Sequence, residues 1–400
     1  MSATLSLRQP FLFIFAVMIL TSSVVYMEPA PYDLLFVLLL LIAAYSRHII
    51  YTGVQFWPIL LLFLFLMTNI FSLFFIQKAA VAGSYLVITI YGIVVWFGLV
   101  GMMSYLGKGI LPLIFKMYIV AALLVAVPGI IGYFTQIEVL DQFVWTQDRV
   151  RGLFKDPNVF GPFLVPPALY SLWRIGRVRQ SQIKTIIYIT TFLIMMVGIL
   201  LSYSRAAWGQ FVLAVLIYLI LINDRMTNRF KTLFIIGIIF FPAIYYIITQ
   251  TDAGDLFFDR TGLQGYDDDR FAEQSTSLQY VNLYPFGFGP GQSEVILNQS
   301  THSLFIRLLS ENGLLGLVFF CLFFLATITR GLYMALKTDA QFKGYFIIVT
   351  VSLIGIAFNS FFVDTMHWRH FWLLLALPWI SIRTYVDDKY KGVSQRELGE

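Results

Sequence analysis

Long apolar runs separated by short polar stretches fill the chain. Their spacing predicts membrane-spanning helices near residues 10–27, 33–46, 55–76, 82–105, 109–134, 158–173, 185–203, 206–222, 232–249, 303–329, 344–362 and 371–382, twelve in all. A run of roughly 20 apolar residues crosses a hydrocarbon core, and a helix satisfies its own backbone there. The predicted fold is therefore all-α, one polytopic membrane bundle over residues 1–400 with no separate soluble domain. The first run follows Arg8 as a signal peptide would, but Thr21-Ser22-Ser23-Val24 makes a poor cleavage site and further spans follow, so it reads as an uncleaved first helix. The breakers Pro112, Pro128, Pro162, Pro166, Pro167, Pro242 and Pro378 do not recur at matching places in two halves, which counts against an inverted-repeat transporter.

Composition excludes an ordinary soluble protein: 59% of residues are hydrophobic and 12% charged, where about a quarter would be charged in a soluble domain. The single cysteine, Cys321, excludes an intramolecular disulfide and a cysteine metal site. The formal charge of +5 matters through its distribution. The short loops holding Arg174, Arg177, Arg179 and Lys184, and then Arg225, Arg229 and Lys231, mark the cytoplasmic side, since Lys/Arg bias in short loops sets orientation. Both termini are then cytoplasmic, Lys116 sits within a span, and no nucleic-acid partner is expected.

Two longer segments share the opposite, outer face, residues 135–158 and 250–301. The second is far longer than an ordinary connection, and such loops are functional or disordered. Its aromatic and Gly/Pro content, as in Tyr284-Pro-Phe-Gly-Phe-Gly-Pro-Gly291, favours an ordered loop. Arg149, Arg151, Arg205, Arg260 and Arg270 all fall on this face, where planar guanidinium forks suit bidentate contact with phosphate. A helix-end arginine can simply snorkel to the interface. Around Arg205, however, Ser202, Tyr203 and Ser204 add hydrogen-bonding groups and Gly209 allows close helix contact, which favours a polar site between spans.

A second motif runs from Thr301 to Gly316. Ser300 or Thr301 is expected to cap its helix and set His302 in the first turn, where the positive helix end holds the imidazole neutral and able to accept a proton. The bland alternative is an interfacial histidine without a chemical role. Gly313 and Gly316 are expected to serve close helix packing. Pro157 sets a helix start, and Asn158 either binds a sugar or caps, capping being the commoner use. Asp267, Asp268 and Asp269 lack calcium-loop spacing and read as a solvated face. Asp364, His367, Arg369 and His370 form a further outer cluster, with Asp364 a candidate substrate contact.

The stretches SYSRAAWGQF, DDDRFAEQ, YPFGFGPGQ and THSLFIRLLSENGLLGL, preceded by GLFKDPNVFGPFLV, resemble the bacterial O-antigen ligase and O-antigen polymerase superfamily over roughly residues 150–330. The resemblance implies a GT-C-like bundle in the bacterial inner membrane with its active site facing the periplasm. It implies a metal-independent, cofactor-free inverting glycosyltransferase that takes a glycan from a polyprenyl (undecaprenyl) diphosphate carrier. The acceptor would be a sugar hydroxyl, on a lipid A core in a ligase or on a carrier-linked repeat in a polymerase. Carried over by motif, Arg205 and Arg270 would hold the diphosphate, with Arg260 the competing loop candidate, and His302 would act on the acceptor hydroxyl. The chemistry is sound on its own terms: a diphosphate is already a good leaving group, so charge neutralisation and an oriented nucleophile suffice. The rival class is a flippase or transporter of lipid-linked sugars. That class should hold ionisable groups at mid-membrane depth, for which Lys116 and Glu311 are the candidates.

Overall fold

Proline decides how one of these runs is used. Pro157 stands at the first helical position behind Asp156, whose carboxylate accepts the Asn158 N–H at 2.8 Å. A missing N–H costs nothing there. Pro162, Pro166 and Pro167 lie inside the same helix, and nearly its whole length is buried, so the backbone groups freed by proline are enclosed by protein.

The computed structural model describes residues 2–135, 137–145, 149–177, 181–222, 274–279, 281, 283–296 and 301–381, and isolated positions between 237 and 249. Among these residues the helices are α1 Ser2–Leu20, α2 Pro31–Tyr45, α3 Phe56–Ser72, α4 Ala79–Leu106, α5 Leu111–Thr135, α6 Pro157–Ile175, α7 Gln182–Leu201, α8 Arg205–Leu221, α9 Leu304–Lys337, α10 Ala340–Asn359 and α11 Arg369–Ala376. A two-residue hairpin, β1 Val144–Trp145 with β2 Arg149–Val150, joins α5 to α6.

The chain is an all-α, multi-pass membrane protein. Among the described residues six helical segments are long and apolar enough to cross a bilayer, Gly53–Phe75, Ala79–Leu106, Lys108–Thr135, Gln182–Leu201, Leu304–Lys337 and Ala340–Asn359. Shorter apolar helices cover Gln9–Ser23, Pro31–Tyr45 and Arg205–Leu221. The expected span at 232–249 and the greater part of the 250–301 loop lie outside the described residues. The expected last span at 371–382 is the short helix α11 continued by the 3-10 turn Leu377–Trp379. It is too short to cross alone, and it is buried throughout, so its length is set by its protein neighbours rather than by lipid.

Tryptophan anchors fix that last element. Trp372 fills the space left by Gly92 and donates to the Met366 carbonyl at 2.7 Å. Trp96 donates to the Leu375 carbonyl at 3.1 Å, and Trp379 to the Thr327 hydroxyl at 3.0 Å. Each of these three indoles thus has a partner for its N–H.

Helices α1 to α8 alternate in direction, as do α9 to α11, and α8 and α9 both begin at one end, which gathers there the starts of α2, α4, α6, α8, α9 and α11 with the ends of α3, α5, α7 and α10. Long-range contacts confirm the grouping: the Val25 N–H meets the Leu153 carbonyl at 2.9 Å, Gln292 accepts from the N–H groups of Gln77 and Lys78 at 2.9 Å each, and Asn359 donates to Gln210 at 2.9 Å. At the other end Lys108 pairs with Asp339 at 2.8 Å.

Close approach of α6 to the α7–α8 turn depends on Gly161, where a Cβ would stand 2.7 Å from both Ala207 Cβ and Ser202 Oγ. Neither neighbour has room to yield. Gly161→Val is expected to cost about 1–3 kcal/mol through overpacking, seen as a lowered apparent thermal midpoint of the detergent-solubilised protein.

Candidate functional site

The α7–α8 turn is built by its own hydroxyls. Ser202 donates to the Ile199 carbonyl at 2.6 Å and accepts the Ser204 N–H at 3.3 Å. Ser204 then caps α8, accepting the Ala207 N–H at 3.4 Å. Between them Tyr203 takes a left-handed backbone conformation, φ 46°, an outlier for a bulky residue. That kink turns the chain sharply enough to make Arg205 the first residue of α8, half-buried. A cation at the positive end of a helix dipole is unfavourable by itself, so the position suits a nearby anion.

Five further sequence candidates, Arg149, Asn158, Ser202, Tyr203 and Ser204, meet here around Arg205. Arg149, buried on β2, donates through Nε to the Ser202 carbonyl at 2.9 Å and through Nη2 to Asn158 Oδ1 at 3.1 Å. Tyr203 OH lies 3.2 Å from Tyr133 OH. The cap of α6 is Asp156, while the Asn158 side chain serves Arg149. Arg149, Asn158, Ser202 and Ser204 are thus engaged in shaping the turn that carries Arg205. Arg151 stands apart, donating to the Gln142 carbonyl at 3.2 Å and lying 5.7 Å from the Trp145 ring.

His302 does not sit in the first turn of a helix. The N-cap of α9 is Ser303, whose Oγ accepts from Ile306, and His302 precedes it, exposed and left-handed at φ 46°. The serine that binds back to the third N–H beyond it defines the cap, and Ser303 lies two positions after Thr301 and three after Ser300, the caps the motif suggests. Left-handed backbone outside glycine concentrates at functional positions. Among the described non-glycine residues only Arg47, Tyr203 and His302 show it.

The helix α10 brings the Arg205 turn and His302 to the same end of the bundle. Gly209, one turn along α8 from Arg205, packs on Phe358, and Gln210 bonds Asn359. Immediately after α10, the Ser360 carbonyl accepts the Leu304 N–H at 3.0 Å and the Ser303 hydroxyl at 3.4 Å. The last turn of α10 and its C-cap therefore hold both segments. Arg260 and Arg270 lie outside the described residues.

A further cluster was only partly legible. Gly313 breaks α9 at φ 70°, correcting the expectation of simple close packing, while Gly316 does pack closely, beside Asn312 and Thr68. The carbonyls of Ser310 and Glu311 beside the break accept the N–H groups of Phe288 and Gly289, both at 3.0 Å. The Glu311 carboxylate accepts from Gly291 N at 2.8 Å and Ser293 N at 3.3 Å. Arg307, one turn earlier and buried, pairs with Asp364 through Nη1, with Glu294 through Nη2 at 2.9 Å and with Glu311 through Nε at 3.5 Å, and lies 5.0 Å from the Tyr85 ring. Arg307 and Glu311, spaced i and i+4 after His302, were the available sequence signal. A cavity with room for about one water lies between Tyr85, Arg307, Asn312 and His367.

The expected outer cluster therefore divides. Asp364 serves Arg307, and His367 packs on Tyr85 with ring centroids 5.4 Å apart. Arg369 instead grips Asp33 bidentately at 2.7 and 2.6 Å, and His370 is buried between Phe163 and Trp368. Burial raises the Asp364 carboxyl, but Arg307, His367 and the Met366 N–H outweigh it and hold it below the usual carboxylate range. Burial above all, helped by Arg307 and opposed by Asp364, Glu294 and Glu28, holds His367 below 6.5.

Residues 190–321 match the family model described as O-antigen ligase, a segment that contains both Arg205 and His302. No curated protein matches the chain.

The two groups titrate in different windows. Asp364 keeps its stabilising charge until the pH falls below the ordinary carboxylate range. His367 stays neutral in the fold while an unfolded histidine gains a proton below 6.5, so stability falls with pH from there. His48, also lowered by burial, adds in the same direction. The apparent thermal midpoint is expected to drop from pH 7 to pH 5, and to drop less in His367→Gln.

Proposed function

We propose, on the premise that the chain belongs through its central segment to the O-antigen ligase and polymerase superfamily, that it is an inverting glycosyltransferase using a polyprenyl diphosphate-linked glycan as donor. One observation carries the reading: the end of α10 holds the Arg205 turn on one side and His302 on the other, so a guanidinium and an imidazole from distant parts of the chain share one end of the bundle.

In this reading Arg205 meets the donor diphosphate, aided by the N-terminus of α8, and a loop arginine, Arg270 or Arg260, completes the neutralisation. Two guanidinium groups lower the cost of the charge that develops on the leaving diphosphate. His302 accepts the proton of the acceptor hydroxyl as that oxygen attacks the anomeric carbon from the face opposite the leaving group. The new glycosidic C–O bond forms, the C–O bond to the diphosphate breaks, and the polyprenyl diphosphate departs with the bonding pair. Imidazole suits the task because it exchanges a proton near neutral pH, and such general-base assistance is worth about 10²–10⁴-fold.

The acceptor is a sugar hydroxyl, of a lipid A core in a ligase or of a carrier-linked repeat in a polymerase. The site faces the periplasm, since the opposite end carries Arg174, Arg177, Lys184, Lys337 and Lys343 in or beside short connections. Against the transporter reading, Glu311 is spent on Arg307 and on backbone N–H groups, and Lys116 is exposed on α5.

His302→Ala is expected to lower transfer at least 10²-fold with donor binding and protein level unchanged, measured with purified lipid-linked donor; transfer at the wild-type rate removes the base. Arg205→Lys keeps the charge but loses the fork, and is expected to weaken donor binding about tenfold or more. Equal donor affinity in that variant overturns diphosphate recognition by Arg205. In a deletion strain, accumulated donor polymer indicates a ligase, a single attached repeat a polymerase, and donor trapped inside a flippase.

A further inference from the structure

Arg307 takes no direct part in the proposed chemistry, yet three carboxylates from different places surround its guanidinium. Glu294 belongs to the short helix Ser293–Ile296 at the foot of the long loop, Glu311 lies on α9 itself, and Asp364 lies on the turn after α10. Tyr85 of α4 covers the guanidinium and donates to Glu294 at 2.5 Å. Three acids around one arginine are costly to bury, and apolar packing of the same volume would often be as stable. What the arrangement supplies is geometry.

Two of its partners tie it to the part of the chain that carries His302: Glu311 lies one turn further along α9, and Asp364 lies on the turn that meets the start of that helix. The turn that presents Asp364 begins at Ser360, whose carbonyl holds Leu304 and Ser303, and Ser360 and Thr365 hydroxyls lie 2.8 Å apart across it. The third partner, Glu294, ties the loop foot to this assembly, and its side chain remains 41% exposed.

We propose that Arg307 is a positioning residue for the transfer reaction, fastening the loop foot and the post-α10 turn to the start of α9 so that His302 meets the acceptor hydroxyl in a fixed orientation. The inference rests on the reading of His302 as the base. Orientation errors of an ångström at such a group cost up to about a hundredfold in rate without loss of binding.

The test uses the full-length protein in nanodiscs with purified lipid-linked donor, and measures kcat, directly bound donor and the apparent thermal midpoint. Glu294→Gln removes one carboxylate at a half-exposed position and leaves the buried pairs intact. It is expected to lower kcat roughly ten- to a hundredfold with donor affinity and midpoint unchanged. Arg307→Lys is expected not to restore the rate, because a point charge cannot serve three carboxylates in fixed directions, and Arg307→Lys with Glu294→Gln should be no slower than Arg307→Lys alone. A wild-type kcat in Glu294→Gln, or a fall matched by lost donor binding or lost folded protein, overturns the proposal. If His302→Ala retains activity, the parent reading fails; if His302→Ala is inactive while Glu294→Gln is as fast as wild type, the failure belongs to Arg307 alone.

Discussion

A helix broken inside a membrane protein leaves carbonyl groups that neither water nor lipid can satisfy, and the break at Gly313 sets this constraint on the whole end that carries Arg205 and His302. The solution is a glycine-rich loop whose N–H groups take the carbonyls of Ser310 and Glu311. Gly287 and Gly313 make that fit possible: at each, a side chain would run into backbone of the other segment, and each holds a left-handed φ. Once the loop lies there, Gly291 and Ser293 reach the Glu311 carboxylate, Glu294 reaches Arg307, and the start of α9 is tied to three other segments.

The second fixed point is α10. Its last turn packs on α8 through Phe358 and Asn359, and the next residue, Ser360, holds the beginning of α9. Segments about a hundred residues apart in sequence thus share one support, and the kinked backbones at Tyr203 and His302 face strain that the surrounding bonds must offset. Arg149 contributes to that offset by bridging the Ser202 carbonyl and Asn158. A residue that reads as a phosphate ligand in sequence is, in the fold, engaged in shaping the turn that displays Arg205.

The apolar runs made the helices legible because a membrane leaves few alternatives to a helix, and the motifs around Arg205 and His302 were legible because hydroxyls, arginine and histidine stand out against such a background. Other features were hidden for physical reasons. The cap of α9 depends on which serine bonds back to the helix, and Thr301 and Ser303 look alike in sequence. Gly313 and Gly316 are the same residue type three positions apart, yet one breaks the helix and the other packs inside it, a difference fixed by the loop that crosses at Gly313. The pairing of Arg369 with Asp33, 336 positions away, and of Arg307 with Asp364, rather than a single outer cluster, follows from which helices are neighbours, and no local pattern encodes that.

The short element α11 has a bearing on how the bundle holds together. Helix α11 and its 3-10 extension are too short to partition into a bilayer as an independent span. Their tryptophans, Trp372 and Trp379, are fitted to Gly92 and Thr327 on earlier helices, and Trp96 of α4 bonds back to Leu375. Such a segment keeps its place through protein contacts and not through lipid. With Arg369 gripping Asp33 of α2, it acts as a keystone between helices far apart in the chain.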